Sequence, residues 1–375
     1  MHQNLLMVSK ALKEKFLIWF QQSNRYLVCD TVIHSMLEDL ETGISPEALI
    51  KTIAQESELE LNAIQDIVNN VVELRATYLN PLDLIPQHTP KHIPETFKIE
   101  RFFKVNDTVF KVSYLSELET SYLDPKFEHL NIPYSNTFDY HFKVFNEADI
   151  TYLVVNDQVI NGWTYKDIHY FLGKFGMELI QGIYNKPEEE WMGVFHGSAI
   201  SNQKGCALLL GDSGNGKSTA LALLQAAGFH CIADDFIPIA AKDQLVYPLP
   251  AAISVKTTSV PYLLPLYPEL KDTKEYHLKR LDKHVRYLNP NNFNTNHKGP
   301  AKALIFIKYK PESDLIVNEI PEDEALEQLI PDSWISSLEI NAKAFMYWFS
   351  KLKYYQLTYS DIDKMIASVN NICNS

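Results

Sequence analysis

The sequence predicts a mixed α/β fold, and three observations carry that expectation. A short apolar run, Cys206-Ala-Leu-Leu-Leu210, precedes a glycine-rich turn and then an Ala/Leu-rich stretch, Ser218 to Ala227, closed by Gly228. That order reads as buried strand, loop and helix. From about Phe97 to Tyr184 the chain is rich in strand-forming residues broken by Asn-Asp pairs, the pattern of hairpins. The N-terminal part reads as a hairpin followed by three amphipathic helices.

Taken in order, residues 1–86 form the first module. Phe16 to Phe20 and Arg25 to Cys29 are two short strands turning at Gln21-Gln22-Ser23-Asn24. Thr31 to Leu40 has helical spacing through Val32, Met36, Leu37 and Leu40. Ser45-Pro46-Glu47 starts a second helix, with serine as N-cap and proline at the first position. Leu61, Ile64, Ile67, Val68, Val71 and Val72 mark one apolar face of a third. A hairpin with three small helices suggests a winged-helix module. Residues 87–97 read as a linker within a proline-rich stretch that includes Pro81, Pro86, Pro90 and Pro94.

Residues 98–375 form the second domain. Its leading part, 98–190, is strand-rich, with turns at Asn106-Asp107 and Asn156-Asp157. The core, 191–310, holds the glycine-rich loop and strands near Leu245 to Tyr247, Ile253 to Val255 and Ala303 to Lys308. A helical tail, 311–375, has helices at Ala325 to Ile330 and Ala342 to Lys351, a strand at Tyr354 to Thr358 and a helix from Asp361.

Composition narrows the function classes. The chain has 375 residues, 46% hydrophobic and 22% charged, ample for a core in two or three domains. A net charge of −13 argues against nucleic acid as a partner. Cys29, Cys206, Cys231 and Cys373 are widely spaced, which disfavours a disulfide framework or a zinc site. Cys206 and Cys231 sit in apolar runs and read as packed small hydrophobes. Met1 to Phe20 alternates apolar and polar residues, and no stretch is long enough to span a bilayer. The expectation is a cytoplasmic protein without membrane association.

Gly211-Asp212-Ser213-Gly214-Asn215-Gly216-Lys217-Ser218 matches G-x-x-x-x-G-K-[ST], the phosphate-binding P-loop. Glycines let several backbone N–H groups face one anion, and the helix that follows adds the positive end of its dipole. Lys217 suits β/γ-phosphate oxygens, and the Ser218 hydroxyl suits Mg²⁺. A turn that merely links strand and helix would explain neither residue. Downstream, Phe229-His-Cys-Ile232 reads as a strand next to the P-loop strand, and it ends in Ala233-Asp234-Asp235. One carboxylate could hold Mg²⁺ and the other could accept a hydroxyl proton. Taken alone, the Asp-Asp pair reads as a solvated turn; its place after a P-loop favours the chemical reading.

The segments His196-Gly-Ser-Ala-Ile200, Gly205 to Ser218 and Gly228-Phe-His-Cys-Ile-Ala-Asp-Asp235 together resemble the catalytic domain of HPr kinase/phosphorylase. The resemblance covers about 40 residues closely and the rest of the second domain only in general. It implies a P-loop kinase core of the HPr kinase / PEP carboxykinase type that phosphorylates serine with ATP and Mg²⁺. The ATP-binding segment would be Gly211, Asp212, Ser213, Gly214, Asn215, Gly216, Lys217, Ser218 and Thr219. Ser218 and Asp234 would serve the metal, Asp235 would be the general base, and Lys217 and His196 would flank the transferred phosphate. The chain departs from the pattern at Thr219, where the family has Glu, and lacks the family's Glu-x-Arg-Gly segment after Asp235. Ser254-Val-Lys256 is similar to a lysine segment of distant members. The basic run Lys279, Arg280, Lys283 and Arg286 could close over a nucleotide, although surface charge is the plainer reading of both.

The first module resembles PqqD-like peptide-recognition domains through Arg25-Tyr-Leu-Val-Cys-Asp30 and Met36-Leu-Glu-Asp-Leu-Glu-Thr-Gly43. Such domains bind a leader peptide by adding a strand to the hairpin edge; a packing or dimerisation module is the alternative. The expectation is therefore an ATP-dependent serine kinase acting on a precursor peptide or small protein, with a homo-oligomer left open. A kinase of a small hydroxylated metabolite and a non-catalytic ATP-sensing, peptide-binding protein are the alternatives.

Overall fold

The computed structural model describes residues 6–81, 85–202, 204–278, 283–291 and 293–374. It is mixed α/β, with ten α-helices and several sheets among the described residues. The chain divides into two compact units. The first comprises 1–84, 321–331 and 335–351; the second comprises 85–320, 332–334 and 352–375. The tail, read from the sequence as one stretch, is thus shared between them.

In the first unit, Met7–Ala11, Phe16–Phe20 and Arg25–Cys29 form an antiparallel sheet in that order. The strand Met7–Ala11 was not anticipated, because its polar residues Ser9 and Lys10 weaken the local signal and pairing with Phe16–Phe20 fixes it. Three helices follow: Thr31–Glu41, Pro46–Glu56 and Leu61–Leu79. Asp30 caps the first by accepting from Ile33 N, and Ser45 caps the second by accepting from Ala48 N. Ile18, Phe20, Met36, Leu37 and Val71 form their core, each worth about 1.5–3 kcal/mol of burial. Two helices from the tail, Glu322–Leu329 and Glu339–Phe349, complete the unit. Phe345 meets Tyr26 edge-on with centroids 4.8 Å apart, and Lys15 pairs with Asp323 at 2.5 Å.

The second unit opens with a five-stranded sheet ordered Ile99–Val105, Thr108–Tyr114, Tyr140–Glu147, Ile150–Val155 and Gln158–Thr164. Asn156 and Asp157 both adopt positive φ, 48° and 66°, as a tight two-residue hairpin turn requires. Two helices within this strand-rich part escaped the sequence reading. Glu117–Phe127 carries Pro125 and no clear apolar stripe, but Ser116 and Glu119 form a capping box at its start. Ile168–Tyr184 sets Lys174, Glu178 and Gln181 on one face and packs Phe171 and Phe175 on the sheet, Phe175 lying 5.0 Å from Phe142 between ring centroids.

The larger sheet positions the loop. Its order begins His230–Asp234, Ser198–Asn202, Gly205–Leu210, Gly299–Tyr309, and Lys353–Tyr359 pairs with the last of these. The strand bearing Asp234 is therefore one strand removed from the P-loop strand, not its neighbour. Ser198–Asn202 hairpins tightly with Gly205–Leu210 and inserts between them. Being antiparallel to both, it leaves the two outer strands parallel, so Leu210, Asp234, Tyr309 and Tyr359 end at one edge of the sheet. The helix Lys217–Ala226 packs Ala220, Leu221 and Leu224 into a core with Ile253, Val255, Ile305, Met365 and Val369. A small sheet, ordered Ile253–Lys256, Lys283–Leu288 and Tyr276–Leu278, belongs to the same unit. The four cysteines are buried and unbridged.

Truncating Phe175 to Ala should cost about 3–5 kcal/mol, because the ring fills a cluster with Phe142 and Phe127 that cannot collapse fully. A lower denaturant midpoint at unchanged slope is the expected reading.

Candidate functional site

The loop between the strand Gly205–Leu210 and the helix Lys217–Ala226 turns on glycines at positive φ, 106° at Gly214 and 91° at Gly216. Gly216 is the N-cap of the helix, so the first helical N–H groups open toward the loop. The loop is tied to the sheet through Tyr309 N, which donates to Asn215 O at 3.0 Å. Lys217 is buried, and its ammonium donates to the carbonyls of Gly211 at 2.5 Å and Asp212 at 3.2 Å. Burial pulls its pKa below the ordinary lysine value, against the nearby charges of Asp235 and Asp234.

Asp234 closes its strand and is 2% exposed. Three donors from separate segments hold its carboxylate. Ser198 Oγ and Ser218 Oγ donate to Oδ1 at 2.7 and 3.0 Å, and Ser254 N donates to Oδ2 at 3.0 Å. Burial and the adjacent Asp235 charge push its pKa well up despite these bonds. Asp235 leaves the strand at φ 65°. It receives the ammonium of Lys126 at 2.6 Å, and its carbonyl lies 3.1 Å from His196 Nδ1. Burial would raise the Asp235 pKa, but Lys126, His196 and Lys217 hold it below the usual carboxylate value.

The oxygens of Ser218 and Asp234, 3.0 Å apart, suit a hard cation that takes few protein ligands and completes its shell with water and phosphate. Among the described residues no group of three or more His, Cys, Asp or Glu could hold a metal without such help.

The structure gathers Lys217, Ser218, Asp234, Asp235 and His196 at one end of the sheet. Thr219 departs from the rest of the loop, since its hydroxyl donates to Ser259 Oγ at 2.9 Å. Lys283 donates to Ser213 Oγ at 2.8 Å, and a Cβ on Gly214 would stand 3.8 Å from Lys256 Nζ. Burial and repulsion from Lys283 and Lys217 lower the Lys256 pKa. Arg286 instead donates to the carbonyls of Leu270 and Lys271, and Lys279 and Arg280 lie outside the described residues. Lys126 was missed. It sits 109 positions before Asp235, near the end of a helix the sequence reading did not find.

Comparison with protein-family models and with curated proteins found no match. Among the described residues no helix is long and apolar enough to cross a membrane.

Because folded Asp234 holds its proton more tightly than the unfolded chain does, its ionisation works against folding as pH rises from the ordinary carboxylate range toward its raised pKa. Asp234→Asn lacks this ionisation. Its stability relative to the wild type should therefore increase from pH 4 to pH 8, read as denaturant midpoints in magnesium-free buffer.

Proposed function

We propose that this protein is a Mg²⁺/ATP-dependent kinase that transfers the γ-phosphoryl group to a serine hydroxyl, in a precursor peptide or small protein. The observation that carries the reading is the convergence of Lys217, Ser218, Asp234 and Asp235 on one glycine-rich loop, with Ser218 and Asp234 in contact. The loop amides and Lys217 would bind the β- and γ-phosphates, exchanging the lysine's carbonyl partners for phosphate oxygens. Magnesium, when bound at Ser218 and Asp234, would supply charge neutralisation on the phosphate oxygens.

Asp235, kept ionised by Lys126, would accept the serine proton as the Oγ–Pγ bond forms and the bond from Pγ to the β-phosphate oxygen breaks, releasing ADP. His196, beside the Asp235 carbonyl, would line the acceptor side. Positioning and charge carry this transfer, with no covalent enzyme intermediate. A peptide acceptor is supported by the N-terminal unit. Its three-stranded sheet ends in the edge strands Met7–Ala11 and Arg25–Cys29, and an added strand could continue either backbone ladder. The likeness to HPr kinase and to PqqD-like domains points the same way, on the motifs alone.

The test is label transfer from γ-labelled ATP to serine-containing peptides, beside Lys217→Ala and Asp235→Asn. Each variant should lose about 10²-fold or more in rate. Transfer indifferent to both substitutions would remove the site. Lys126→Met should move the acid limb of the pH–rate profile to higher pH, because Asp235 then loses the cation that depresses its pKa.

A further inference from the structure

On the side of the loop away from the carboxylates, three tyrosines from the second unit stand together. Tyr309 ends the strand parallel to the P-loop strand, and Tyr359 ends the next one over. Tyr262 lies in the short helix Val260–Leu263. Tyr359 is buried and meets Tyr309 edge-on, centroids 5.5 Å apart, which fixes the Tyr309 ring. Tyr309 and Tyr262 lie 6.5 Å apart between ring centroids, tilted by 58°, and remain 37% and 57% exposed. Two large, partly exposed rings thus stand together within a small area.

Their position relative to the loop is fixed. Tyr309 N is bonded to Asn215 O, and a Cβ on Gly216 would lie 3.5 Å from Tyr309 Cβ and 3.9 Å from the Tyr359 hydroxyl. The tyrosines therefore begin where the anion-binding glycines end. The acids and Lys126 flank the same loop from the strand bearing Asp234, on its other side. Ligands of open α/β sheets bind at the carboxyl ends of the strands, where Asp234, Tyr309 and Tyr359 stand. A molecule with a polyanionic end and a flat aromatic end would span from one group to the other.

We infer that Tyr262 and Tyr309 form the base subsite of a nucleoside triphosphate, taking the base by stacking while the loop takes the phosphates. Stacking on tyrosine accepts any base through its π-face and favours the larger purines. Recognition would thus rest on aromatic area more than on hydrogen-bond readout. This inference rests on the nucleotide reading of the loop given above.

Calorimetry of the full chain with magnesium separates the two. ATP and inorganic tripolyphosphate are titrated into the wild type, Tyr262→Phe, Tyr262→Leu and Tyr309→Leu. The expected result is that each leucine variant weakens ATP about ten-fold and leaves tripolyphosphate unchanged, while Tyr262→Phe binds ATP like the wild type. Unchanged ATP affinity in both leucine variants would overturn the base subsite and leave the phosphate site standing. Equal loss of ATP and tripolyphosphate in the variants would also overturn it, as damage to the loop itself. Failure of both ligands to bind the wild type would overturn the nucleotide reading and the base subsite with it.

Discussion

The site depends on the buried carboxylate of Asp234. A charge that deep is tolerated only when its lone pairs are met, and here three serines meet them from three parts of the chain. Ser198 comes from the intervening strand, Ser218 from the start of the P-loop helix, and the Ser254 amide from the small sheet. One acid therefore registers the strand, the helix and the sheet against each other. The cost is visible in its raised pKa, driven first by burial and then by the charge of Asp235 next along the chain. Lys126 bonds directly to Asp235 and its charge also reaches Asp234, yet burial keeps the Asp234 pKa raised while Lys126 lowers that of Asp235, so two adjacent acids are driven to opposite protonation behaviour.

Local electrostatics run against the whole. The chain carries a net −13, yet Lys126, Lys217, Lys256 and Lys283 all approach the loop or the acids beside it. Net charge governs long-range attraction, while the composition of a few ångströms around the loop governs what it holds. The acidic surface disfavours a polyanion such as nucleic acid, and the lysines suit a compact one.

Much of this was legible in the sequence because it is local. The loop, its strand and its helix lie within one run of about twenty residues, and glycine, lysine and serine each have a distinct physical reason to be there. The hairpins at Asn106-Asp107 and Asn156-Asp157 were legible for the same reason. What could not be read was contact over distance. Nothing near Lys126 marks it as a partner of Asp235, nor Ser254 as a donor to Asp234. The inserted strand Ser198–Asn202 also hid the spacing between the loop and the acids, since sequence order does not reveal a hairpin that wedges into a sheet. The Glu117–Phe127 helix did carry a sign, its Ser116/Glu119 box, which strand-forming neighbours obscured.

The first unit closes on helices that come more than two hundred and thirty positions after its own hairpin and helices. During synthesis Tyr26 is made well before Phe345, so their contact cannot form until the later helices follow. Until then the unit's unsealed apolar face is open to chaperones or to self-association. Cutting the chain just after the third helix would yield that unsealed piece, because residues 321–331 and 335–351 belong to the same unit.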